Sequence, residues 1–118
     1  MNSTEIFTAL KEILYPYSAE LDCNVDRCDE YYLNTKHIMK NKKPLFFAAT
    51  KINKNYVSFH LMPVYVKPEL LKSISPALKK HMQGKSCFNF KKIDDILFVE
   101  LKQLTNTAYR SYVDEGYI

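Results

Sequence analysis

Apolar and polar residues alternate most cleanly in two short stretches, residues 56–65 (YVSFHLMPVY) and residues 84–92 (GKSCFNFKK). In the first, Val57, Phe59 and Leu61 interleave with Tyr56, Ser58, His60 and Met62; in the second, Phe88 and Phe90 interleave with Cys87 and Asn89. A strand points successive side chains to opposite faces, so each stretch predicts a strand with one buried face. Two such strands make the centre of an antiparallel sheet that packs helices on one side.

The rest of the chain arranges itself around them. Residues 2–14 predict a first helix: Asn2 caps it, Glu5 stands at the capping-box position, and Ile6, Leu10, Ile13 and Tyr17 trace one face, with Pro16 limiting its end. Residues 20–27 alternate Leu21, Cys23 and Val25 against Glu20, Asp22, Asn24 and Asp26, which predicts a strand with an acidic outer face. Residues 31–38 are its hairpin partner across Cys28-Asp29-Glu30, and the basic turn MKNKKP at 39–44 leads to a strand over 45–52. With Lys54-Asn55 as a two-residue turn, Ile52 pairs with Val57, Thr50 with Phe59 and Ala48 with Leu61. The same register sets Phe47, Ala49, Ser58, His60 and Met62 on the opposite face. A three-residue loop would slip the register and mix the faces, so the two-residue turn is expected.

Pro63 ends regular pairing. Pro68 opens a short helix over 68–73, and Ser75 caps another from Pro76 to about Met82. Gly84 leads into the strand over 86–90, and Asp94 caps the longest helix, to about Val113. Its stripe is Ile93, Leu97, Leu101, Leu104, Ala108 and Tyr112. The expected order is α-β-β-β-β-α-α-β-α: one α+β domain, an antiparallel sheet of about five strands with the N- and C-terminal helices packed on one face.

Composition narrows the class. With 118 residues, 47% hydrophobic and 25% charged, the chain is long enough to bury one core without staples. Cys23, Cys28 and Cys87 form no CxxC pair, a usage that fits a reducing cytosol. With acids at Glu5 and Glu12 and no apolar run of roughly 20 residues, no signal peptide, a cytoplasmic location and no membrane partner are expected. The net charge is +4, but the only arginines are Arg27 and Arg110. Base-reading surfaces favour arginine, so nucleic-acid binding is not expected and the lysines read as a solvated surface.

The run NYVSFHLMPVYVKPELL followed by SPALKKHMQGKSCFNFKKIDDILFVEL resembles the YdhG-like family, a bacterial domain of unknown function. The similarity covers most of the chain and is densest over residues 44–101. The resemblance implies an α+β fold similar to frataxin. It also implies, from some members, intracellular iron-chaperone activity. Frataxin-type iron binding uses a dense acidic ridge on a helix; here the first helix carries Glu5 and Glu12, with Glu20 following.

Several chemistries drop out on spacing. Gly84-Lys85-Ser86 resembles the end of a phosphate-binding loop, but the position of the other glycine holds Lys79 and the segment leads into a strand. His37, His60 and His81 fall in no metal-ligand spacing. A Cys87–His60 nucleophilic dyad lacks an orienting third group, so no enzyme is expected. Two surfaces remain. The first is the semi-apolar sheet face with Phe47 and Ala49, whose candidate ligand-binding residues are Ser58, His60, Met62, Tyr65, Lys85, Cys87 and Asn89. It is ordinary core if the segment over 68–82 covers it, and otherwise a site for a small ligand or protein partner. The second is the acidic stretch, where Glu20, Asp22, Asp26 and Asp29, with Glu30, are the alternative iron ligands, hard cations preferring clustered carboxylates. No resident cofactor is expected beyond that iron, and the chain is expected as a monomer or homodimer.

Overall fold

The computed structural model describes residues Met1–Ile118. The first helix, α1 (Ser3–Leu14), begins where expected, because the Asn2 side-chain oxygen accepts the Glu5 backbone N–H at 3.1 Å. Pro16 does not end the helical path. Proline is tolerated in a first turn, and the chain tightens into a 3-10 helix over Tyr15–Glu20. Tyr17 thereby stays on the buried side, its ring 5.9 Å from that of Phe47.

Six strands follow, in the spatial order β1-β2-β3-β4-β6-β5 with every pair antiparallel. They are β1 (Asp22–Asp26), β2 (Glu30–Ile38), β3 (Pro44–Ile52), β4 (Val57–Leu61), β5 (Met82–Gln83) and β6 (Cys87–Phe90). The β3–β4 register is the one the two-residue turn predicts: Ile52 opposes Val57, Thr50 opposes Phe59 and Ala48 opposes Leu61. The Asn53 N–H donates to the Tyr56 carbonyl at 2.8 Å and closes that turn.

Three expectations about the sheet need correction. The sheet has six strands rather than five, because the helix expected to reach Met82 stops early and frees Met82 and Gln83 to pair back on β6. Gly84, at φ +76°, makes that reversal in a conformation side-chain-bearing residues rarely adopt. Secondly, Leu21, Cys23 and Val25 do not share a face. Asn24 is an extra residue between the pairs Cys23–Leu33 and Val25–Tyr32, and this bulge turns Cys23 and Val25 to opposite sides. Thirdly, Phe47 does not lie on the face of His60. Leu33 opposes Ala48 but Asn34 opposes Phe46, so Phe47 is the bulged residue; it enters the core while Phe46 takes the opposite face.

The helices cover one face only. α1 buries Ile6, Phe7, Leu10, Ile13 and Leu14, and α4 (Asp95–Asp114) buries Leu97, Phe98, Leu101, Leu104, Ala108 and Tyr112 against Val57, Phe59, Leu61, Phe88 and Phe90. Asp94 caps α4 by accepting the Leu97 N–H at 3.1 Å. Tyr112 donates its hydroxyl to the Phe46 carbonyl at 2.9 Å, and burial pushes that phenol well above its ordinary range. Between β4 and β5 the chain forms α2 (Pro63–Val66), a 3-10 helix over Pro68–Leu71 where a regular helix to residue 73 was expected, and α3 (Pro76–Lys79). All three pack against α4. Glu100 fixes the segment there, accepting the Ser75 N–H and hydroxyl at 2.6 Å each. The second sheet face therefore has no helix over it. No helix of the chain is long and apolar enough to cross a membrane.

Candidate binding face of the sheet

Strand period places the candidate residues on the uncovered face. His60 opposes Cys87 and Ser58 opposes Asn89 across the β4–β6 ladder, all four half-buried. Beside them Phe46 is the centre of a row of rings that crosses three strands. Tyr32 of β2 stacks on it at 4.5 Å, and His60 of β4 meets it edge-on at 4.8 Å. Aromatic pairs favour both geometries. The imidazole is held from its other side, Nε2 lying 2.8 Å from the Ser86 hydroxyl.

The periphery is looser. Met62 is half-buried at the start of α2 rather than in the strand, and Tyr65 is exposed. The Lys85 ammonium stands 6.0 Å from the Tyr65 ring centre, at the outer limit of a cation–π contact. Tyr65 and Lys85 thus meet at the rim, while Ser58, His60, Cys87 and Asn89 form the floor.

One polar atom on this face lacks a partner. Asn34, opposite Phe46 and 7% exposed, has its side-chain oxygen buried with no hydrogen-bond donor in reach. Leaving such an acceptor unsatisfied costs about 1–3 kcal/mol, so it is an unusual thing to place beneath an aromatic row.

Burial sets the protonation of the two titratable groups. It lowers the His60 imidazole below its ordinary value and raises the Cys87 thiol above its own, favouring the neutral form of each. A thiolate–imidazolium pair would need the opposite shifts. The face can therefore stack, bury apolar surface and exchange hydrogen bonds, but burial holds its thiol in the poorly nucleophilic form.

The acidic stretch is differently disposed. Asp26 meets Lys11 at 2.9 Å, and Arg27 meets Asp29 at 3.4 Å and Glu30 at 2.7 Å. Glu20 and Asp22 are exposed, and nowhere do three or more His, Cys, Asp or Glu side chains converge as a metal group. The β1 bulge is the physical reason: it carries Asp26 toward α1 and away from a common acidic face with Asp22.

Residues that sequence reasoning did not single out include Tyr32, Asn34, Phe46 and Ser86. Ser86 was visible only in the dismissed phosphate-loop resemblance and at the start of the expected strand, and Phe46 takes the place on the uncovered face that was expected of Phe47. No family model, no curated protein and no solved structure matches the chain.

Proposed function

We propose that this chain is a non-enzymatic binding or carrier domain of the YdhG-like family, taking a small ligand or a protein segment on the uncovered sheet face. The observation that carries this reading is the combination at its centre: a Tyr32–Phe46–His60 ring row on a face no helix covers, beside a buried, unpartnered Asn34 oxygen. A sheet face meant only for water has no need of stacked rings, and the sealed Asn34 oxygen shows that the patch beneath them is already desolvated. His60 and Ser86 supply a second polar point, and Lys85 with Tyr65 supplies the rim.

The test is capture of a partner by the purified protein, compared with His60→Ala and Lys85→Ala variants whose circular dichroism and melting match the parent. Loss of the captured species in both variants is the expected result. Undiminished capture by both would refute the assignment of the face.

A further inference from the structure

The two edges of the sheet treat their charges differently. At the β1 edge the carboxylates of Asp26, Asp29 and Glu30 are met by Lys11 or Arg27. At the other edge, where β5 and β6 end the sheet, Lys80, Lys91 and Lys92 have no carboxylate within ion-pair distance. Glu5 shares a neighbouring groove with Lys91 and Lys92 but forms an ion pair with neither. These three lysines line one cleft of about 610 Å³, open to solvent and walled by Tyr56 and His81.

The fold brings them together from separate places. Lys80 closes the end of α3, and Lys91 and Lys92 run off the end of β6. Tyr56 arrives beside them because Val57, the next residue, opposes Phe90. His81 is fixed rather than mobile: its ring stacks on Phe90 at 4.7 Å. Its Nδ1 lies 2.9 Å from the Asn89 carbonyl, an acceptor only, so Nδ1 carries the proton and donates. The Asn89 N–H donates in return to the His81 carbonyl at 2.8 Å. Gln83 and Asn89 add neutral hydrogen-bonding side chains to the wall.

We propose that this cleft binds a small phosphate monoester bearing a planar ring, of the nucleoside monophosphate type. Three unpaired ammonium groups around one concavity suit a dianionic group with three acceptor oxygens, and lysine acts there as a point-charge phosphate ligand. The Tyr56 and His81 rings offer faces for the planar part, and stacking of this kind tolerates any base. A polynucleotide track fits less well, because the row that reaches Lys51 through Ser58 and Asn89 goes no further toward the remaining basic run. Lys40, Lys42 and Lys43 sit at the far end of β3 from Lys51 and Lys54, about 30 Å away along an extended strand. The cleft borders the uncovered face, sharing with it the Asn89 row and Gln83, which opposes Cys87, and its test leaves His60 and Lys85 unchanged.

The experiment is a titration of the isotopically labelled full chain, at low ionic strength, with adenosine monophosphate, inorganic phosphate and adenosine in separate series. Adenosine monophosphate is expected to shift the amide signals of Lys80, His81, Asn89 and Lys91 and to saturate. Inorganic phosphate is expected to bind the same residues more weakly, and adenosine not at all. A Lys80→Ala/Lys91→Ala/Lys92→Ala variant is expected to lose about tenfold in affinity, each exposed charge contributing a few-fold. The matching Lys→Arg variant, charge retained, is expected to keep most of it. All three lysines are exposed, so an unchanged melting curve is the control for folding. The proposal falls if adenosine monophosphate produces no shifts, if the alanine variant binds it equally well, or if adenosine binds as tightly. It also falls if a single-stranded oligonucleotide displaces the monophosphate and spreads the shifts to Lys51 and Lys54.

Discussion

The β4–β6 ladder presents two faces made from the same short strands. On one, Val57, Phe59, Leu61, Phe88 and Phe90 are sealed from solvent beneath α1 and α4. On the other, Ser58, His60, Cys87 and Asn89 stand half-buried, interleaved residue by residue with the first set. The difference shows how a period of two separates tasks: one face supplies the apolar burial that holds the fold, and the other is free to carry polar and ionisable groups. The bulge at Phe47 extends the division to β3 by giving one phenylalanine to each face. Phe59→Ala is therefore expected to destabilise the domain by about 3–5 kcal/mol, the usual cost of a large core truncation. Phe46→Ala, which removes a ring packed on Tyr32 and His60, is expected to cost about 1–3 kcal/mol. Urea unfolding of both variants measures the comparison. Equal losses would mean that the uncovered face holds the fold as firmly as the covered one.

A hydrogen bond from Tyr112 in the core to the carbonyl of Phe46 links the two faces beside the bulge. Tyr112→Phe keeps the ring and strands that carbonyl, which is expected to cost about 1–3 kcal/mol. Because the bond lies beside the bulge, the loss is expected to appear as faster amide exchange at Phe46 and Phe47 before any change in α4. Uniform acceleration through the sheet would show instead that the bulge is held by its neighbours alone.

Asn34 separates stability from binding. Replacing its unpartnered amide by leucine removes a desolvated acceptor, so Asn34→Leu is expected to be neutral or to stabilise by about 1 kcal/mol while weakening capture on the uncovered face. A stability loss would mean that the Asn34 oxygen is satisfied in solution, and the face would lose its most distinctive feature.

How much of this was legible beforehand depended on how local the signal is. The β3–β4 register was readable because Lys54-Asn55 fixes the turn and the Val57, Phe59, Leu61 alternation rejects a slip. The caps of α1 and α4 were readable because Asn2 and Asp94 act on residues three positions away. The bulge at Phe47 was hidden: Leu45 to Ala49 is a continuous apolar run, and a run without alternation carries no information about which ring points inward. Asn34 reads as one polar residue in an ordinary strand, and its lack of a partner is a property of three dimensions. The lysine cleft depended on the end of α3 meeting the end of β6 through the unforeseen strand β5. Of the candidate residues, the four that strand period placed together are together in the structure, whereas Met62 and Lys85 lie in turns and Tyr65 in the four-residue helix α2, beyond the reach of strand period.

The smallest expected difference between the faces is in their response to acid. The covered face of the β4–β6 ladder holds no titratable side chain, whereas the uncovered face holds His60, which burial keeps below its ordinary value of 6.5. In the unfolded chain that imidazole takes up a proton near 6.5, while in the folded chain it resists until lower pH. The unfolded state thus binds more protons as pH falls below about 6.5, and the His60 contribution to stability, complete above that value, declines until the folded-state imidazole also protonates. His60→Gln keeps a polar group beside Ser86 without the titration. Stability measured by urea unfolding from about pH 7.5 down to about pH 5 is expected to fall more steeply in the parent than in His60→Gln, the two converging in slope on the alkaline side. Parallel profiles across the whole range would place His60 in water rather than in the ring row, and the division between the two faces would rest on shape alone.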